Sequence, residues 1–97
     1  MFKIFGFYKF KKLISLKKNK KKLQDFFVKN NIRGSIIISP EGMNGTISGK
    51  SKGIIKFKNK IKKLLKNSNF DSENISKSKF QPFHRAKVKI KKEVVPM

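Results

Sequence analysis

Ser39 to Gly49 reads SPEGMNGTISG, and the way this stretch bends decides the fold. Just before it, Ile32 to Ser39 (IRGSIIIS) is rich in β-branched residues and reads as an almost wholly buried strand. Pro40 to Gly45 then offers Glu-Gly and Asn-Gly, residue pairs that supply the positive φ angles of a tight connection. Thr46 to Gly49 starts a return strand, so the segment is a β-hairpin with Glu41, Gly42, Asn44 and Gly45 as its structural turn. Glu41 is one of five acidic residues in a chain with 26 Lys and Arg. No second acid or His stands within the segment, so its carboxylate is expected to fix geometry rather than to move protons.

Outward from the hairpin, both flanks carry a helix and then a strand. Met1 to Phe10 (MFKIFGFYKF) is an aromatic strand, with Ile4, Gly6, Tyr8 and Phe10 on one face and Lys3, Phe5, Phe7 and Lys9 on the other. Leu16 to Asn31 is helical, with a stripe of Leu16, Leu23, Phe26 and Phe27 and a stop at Asn30-Asn31. Ser51 to Lys66 repeats the helical spacing through Ile54, Phe57, Ile61, Leu64 and Leu65. Asn67 to Pro82 is polar and turn-rich and reads as a loop with a short extended piece. In Ala86 to Lys92 (AKVKIKK) the apolar Ala86, Val88 and Ile90 alternate with Lys87, Lys89 and Lys91. The order β-α-β-β-α-β predicts an α+β, ferredoxin-like domain: a four-stranded antiparallel sheet with two helices on one face. Residues 1–97 make one domain of modest stability.

The formal charge of +21 narrows the partner class to polyanions, either nucleic acid or an anionic membrane. Only Arg33 and Arg85 are arginines; the other cations are lysines, and together with abundant Ile, Asn and Phe this points to an AT-rich genome as one source of the excess. The chain has no Cys, which removes disulfides, thiolate metal sites and a cysteine nucleophile. One His and five scattered acids make no metal-ligand set. Every apolar run is too short for the ~18 residues of a membrane span, and lysines interrupt the N-terminal segment where a signal peptide would need an apolar core. A cytoplasmic protein with no membrane partner and no cofactor is expected.

Several motifs resemble one family. EGMNGTISG (Glu41–Gly49), FYKF (Phe7–Phe10), Gly34 ahead of the apolar strand, and PFHRAKVKIKKEVV (Pro82–Val95) resemble the N-terminal, acylphosphatase-like domain of the rhodanese-related tRNA uridine(34) hydroxylases. That resemblance implies a role in oxygen-dependent 5-hydroxylation of the wobble uridine, with tRNA held through its anticodon arm. It places the reaction in a following rhodanese-type domain with a cysteine. Met97 falls where the connection to that domain begins, so a truncated form is expected, with a separate rhodanese-domain chain as a further partner. No catalytic residue carries over to this chain. Without the enzymatic domain, the alternative is a stand-alone basic RNA-binding module.

The predicted sheet supplies a binding face. If Ala86, Val88 and Ile90 point to the helices, Lys87, Lys89 and Lys91 point away. With the first and last strands as neighbours, Ile4 and Tyr8 would go in, and Phe5 and Phe7 would stand beside those lysines, where unpaired bases stack. Phe5, Phe7, Arg85, Lys87, Lys89 and Lys91 are therefore the expected RNA-binding set. Arg85 has a guanidinium fork suited to a phosphate or to the Glu41 carboxylate, the latter ranked first. His84 is expected to be a structural hydrogen bonder, having no acid or nucleophile spaced to partner it.

The echo of an RNA-recognition motif in KIFGFYKF (Lys3–Phe10) falls on the first strand, whereas that motif belongs on the third. A true acylphosphatase would need a glycine-bearing phosphate loop with an arginine after the first strand, where this chain has Lys11-Lys12-Leu13.

Overall fold

A computed structural model describes residues 1–66 and 69–92. Positions 67–68 of the expected loop lie outside the described residues, as do 93–97, which include the end of the Pro82–Val95 motif. The elements run β1 (Phe2–Phe10), α1 (Leu16–Lys29), β2 (Arg33–Ser39), β3 (Gly42–Gly49), α2 (Ser51–Leu64), β4 (Ser72–Ser78) and β5 (Ala86–Ile90). Strand order is β4-β1-β3-β2-β5. The expected βαββαβ unit is therefore complete by β4, and β5 adds a fifth strand on the far edge.

Three expectations are corrected here. The sheet has five strands rather than four, and it is not wholly antiparallel, because β5 pairs parallel with β2. The first and last strands are also not neighbours; β4 fills the place beside β1. Ser72–Ser78 (SENISKS) shows in the sequence as no more than a short extended piece within a loop, because Ile75 is its single apolar residue and almost all of it is exposed. Backbone pairing to β1 defines this edge strand, with no apolar alternation to reveal it. Asp71 starts it: its backbone N–H donates to Tyr8 O, the Phe10 N–H donates to Asp71 Oδ2 at 2.6 Å, and Lys9 Nζ lies 3.4 Å from Oδ1.

The hairpin forms, but tighter than the sequence suggested. β2 and β3 pair from Arg33↔Ser48 to Ser39↔Gly42, leaving Pro40 and Glu41 as the connection. Asn44 and Gly45 therefore belong to β3 and not to the turn. The two glycines save space: a Cβ on Gly45 would collide with Ser35 O and Ile36, and one on Gly42 with Lys9 O. Glu41 acts through its backbone. Its N–H donates to Ser39 Oγ at 3.0 Å and its carbonyl accepts from the Lys11 N–H at 2.8 Å.

Both helices pack on one face, α2 over β1 and β3, α1 over β2 and β5. The core between them holds Phe5, Phe7, Leu23, Phe27, Ile36, Ile38, Ile47, Phe57, Ile61 and Val88. Phe27 and Phe57 join the helices, with ring centroids 5.0 Å apart. The alternation of β1 is thus opposite to expectation. Phe5 and Phe7 lie beneath the helices at 0% and 5% exposure, while Ile4 and Tyr8 sit half-buried on the other face. Both faces of β1 carry apolar side chains, so periodicity could not choose. Volume does: the outer row spends one position on Gly6, whereas burying two phenylalanines contributes roughly 1.5–3 kcal/mol each.

Candidate nucleic-acid interface

The sheet face away from the helices follows from the register. Phe5 pairs with Ile47 in the core, so the next rung, Ile4 with Ser48, lies on the uncovered side, as do Gly6 with Thr46 and Tyr8 with Asn44. Across β2 the same face carries Arg33, Ser35 and Ile37, and on β5 it carries Lys87 and Lys89, opposite Ser35 and Ile37. This face mixes the apolar Ile4, Tyr8 and Ile37 with small polar residues, of which Ser48 and Asn44 are buried, and Lys87 and Lys89 stand exposed at the β5 edge.

The chain closes one end of that surface. β4 finishes beside Phe2 and β5 begins beside Gly34, so residues 79–85 cross the end of the sheet. Gln81 Nε2 donates to Ser48 O at 3.2 Å, the Phe83 N–H donates to Gln81 Oε1 at 3.4 Å, and the Gly34 N–H donates to Arg85 O at 2.6 Å. Gly34 sits at φ 129°, and a Cβ there would strike Thr46 O, so only glycine lets the strands close at this corner. The result is a hollow of about 430 Å³ lined by Gly34, Ser35, Phe83, His84, Arg85, Lys87 and Lys89.

The structure therefore brings Arg85, Lys87 and Lys89 together and places Lys91 just past the strand, exposed, its backbone N–H donating to Ile38 O at 2.9 Å. It removes Phe5 and Phe7 from the set. They stack on each other at 5.4 Å, meet Phe70 at 5.5 and 5.3 Å, and Lys58 Nζ stands 5.3 Å over the Phe5 ring. Neither can stack a base. The ring at the cationic hollow is Phe83, half-buried and absent from the expected RNA-binding set. Its signals were its place in the PFHRAKVKIKKEVV motif and the adjacent His84-Arg85, and a loop residue has no periodicity to reveal its side.

The Arg85–Glu41 pair is also excluded. Arg85 lies at the Gly34 end of β2 and Glu41 beyond the Ser39 end. At ~3.3 Å per residue the strand separates them by about 20 Å. Arg85 is exposed and faces the hollow.

Electrostatics favour anions here. Among the described residues the ion pairs are Lys9–Asp71 and Lys58–Glu73, neither at the hollow. Asp71 has its carboxyl held below the usual range chiefly by the Phe10 N–H, which outweighs desolvation, with further help from Lys9. The loop after β1 offers no ready anion cradle at two of its amides, since the Lys11 and Leu13 N–H groups donate to Glu41 O and Pro40 O. Among the described residues, no three potential metal ligands cluster, and no helix is long and apolar enough to cross a membrane.

Comparison with known proteins agrees with this architecture. Residues 2–94 match the family described as the UPF0176 acylphosphatase-like domain. The chain is 69% identical over 97 residues to the tRNA uridine(34) hydroxylase of Pelagibacter ubique (strain HTCC1062), and it spans 32% of that relative's length. Among solved structures, acylphosphatase from Bacillus subtilis superposes with a TM-score of 0.61 at 12% identity, over 94% of this chain and all of that one. Klebsiella pneumoniae BlrP1, in a calcium and cyclic diGMP complex, gives a TM-score of 0.66 at 11% identity, over 95% of this chain and 24% of that one. At such identities the two structures speak for the fold alone.

Proposed function

Since the chain belongs to the UPF0176 acylphosphatase-like domain family, we propose that it is the N-terminal, tRNA-holding part of a tRNA uridine(34) 5-hydroxylase system. The chemistry would be supplied by a rhodanese-type domain outside these residues. The observation that carries the reading is the hollow at β5, where Arg85, Lys87 and Lys89 surround Phe83 on a sheet face left free by the helices. Lysine ammonium groups meet phosphates as point charges without reading bases, so the contact orients an anticodon arm and leaves its sequence unread. The exposed part of the Phe83 ring is the surface on which one unpaired base can stack.

The test is binding of an anticodon-arm RNA followed by fluorescence anisotropy across a salt series. On single strands the log–log salt slope is ~0.7 per phosphate neutralised. A Lys87→Gln/Lys89→Gln variant should lower that slope by about 1.4. An unchanged slope, or affinity indifferent to salt, refutes the reading. Hydroxyuridine content of host tRNA, with and without the gene, separates a hydroxylase component from a stand-alone RNA binder.

A further inference from the structure

On the opposite side of the molecule, α1 and α2 leave a groove of about 530 Å³ between them. Phe26 lines it, and four lysines surround it: Lys29 from the last turn of α1, and Lys56, Lys60 and Lys63 from α2. We propose that this groove is a second phosphate site, which holds the sugar-phosphate backbone of a single RNA strand. The choice of RNA among polyanions rests on the function proposed above, whereas the anion site rests on the groove itself.

The charge balance is one-sided. α2 (SKGIIKFKNKIKKL) contains no acid, and its one described ion pair, Lys58–Glu73, is on the flank turned to β4. None of the four groove lysines has an acidic partner among the described residues. Lys56 and Lys60 are four residues apart and Lys60 and Lys63 three, spacings at which like charges repel and a bound anion relieves the strain. Lys56 to Lys63 rises about 10 Å along the helix, enough for a short run of phosphates rather than one ion.

The groove is also rigid and partly apolar. Phe26 stands edge-on to Phe57, with centroids 5.2 Å apart and planes at 89°. Asn30 Nδ2 donates to Phe26 O at 3.1 Å and fixes the end of α1. Asn59 adds a neutral amide between the lysines. The partial negative charge at the α1 C-terminus opposes an anion here, but it is a fraction of one charge against four full ones. A floor ring under a rim of ammonium groups suits a ribose-phosphate strand, because the ring takes a base or sugar and the rim takes phosphates.

The test is NMR of the labelled 97-residue chain, titrated at low salt with inorganic pyrophosphate and, separately, with single-stranded oligouridylate. The groove signals of Lys29, Asn59, Lys60 and Lys63 should move together and saturate with both probes. A Lys56→Gln/Lys60→Gln/Lys63→Gln variant should bind oligouridylate at least tenfold more weakly, with a salt slope lower by about 2. These positions are exposed or half-buried on one helix, and removing mutual repulsion leaves the fold intact. The proposal is overturned if that variant keeps its affinity and slope, or if a Lys17→Gln/Lys18→Gln/Lys21→Gln variant on α1 loses as much. Failure of the sheet-face reading looks different: Lys87→Gln/Lys89→Gln then binds RNA normally while the groove variant does not. Pyrophosphate filling the groove with no oligouridylate binding overturns the RNA assignment and leaves the anion site standing.

Discussion

Phe5→Ala separates a base-stacking surface from a core packing unit. The Phe5 ring is 0% exposed, stacked 5.4 Å from Phe7 and edge-on to Phe70 at 5.5 Å. Truncating a buried phenylalanine costs roughly 3–5 kcal/mol, the transfer loss together with an unfilled cavity. Both aromatic partners are lost here, so the upper half of that range, about 4 kcal/mol, is expected. A domain of this size has on the order of 5–15 kcal/mol in total, so the variant should be marginal but cooperative. With an m-value of about 1.5 kcal/mol/M, the urea midpoint should fall by roughly 2.5–3 M. Phe80→Ala is the control: at 70% exposure it should stay within about 0.5 kcal/mol of the parent. If Phe5→Ala unfolded at the parent midpoint yet bound RNA more weakly, the assignment of Phe5 to the core would be wrong.

Three further outcomes are expected. Asp71 has a depressed folded-state pKa, so its contribution is complete above the ordinary carboxylate range and fades as pH falls through the folded value. The parent should therefore lose more of its urea midpoint than Asp71→Asn between neutral pH and about pH 2; equal losses would remove Asp71 as an anchor of β4. Gln24 closes the outer edge of β5, donating from Nε2 to Ala86 O and accepting from the Val88 N–H at 3.2 Å. Gln24→Leu should cost about 1–2 kcal/mol and speed hydrogen exchange at the Val88 amide, and unchanged exchange there would contradict the cap. Finally, Lys56/Lys60, Lys58/Lys62 and Lys62/Lys66 repel along α2 by roughly 0.2–0.5 kcal/mol per pair, so melting temperature should climb from low to moderate salt. A flat response would mean that the excess charge is of no consequence to folding.

The helices and the hairpin were legible because their signals are local. Ile54, Phe57, Ile61 and Leu65 keep one stripe, and all four are buried as that spacing requires. Asn30-Asn31 stops α1, with the Asn30 N–H returning to Phe26 O and Asn31 at φ 51°. The lysine alternation in β5 likewise placed Val88 inward and Lys87 and Lys89 outward. β4 was illegible for the converse reason: an edge strand needs only backbone partners, and nearly all of SENISKS stays in water.

Sequence by itself determined the class of fold, the family likeness and a charge that selects polyanions, because composition and short-range periodicity carry all three. Tertiary structure decided which side of β1 is buried, which edge β5 joins and which ring meets the lysines. Each of these depends on side-chain volume competing across a sheet, or on a chain crossing its end. Pairings between residues dozens of positions apart set those outcomes, such as Phe7 against Glu73 and Gly34 against Ala86. No local pattern encodes them, since the same alternation satisfies either face until the neighbouring strand is in place.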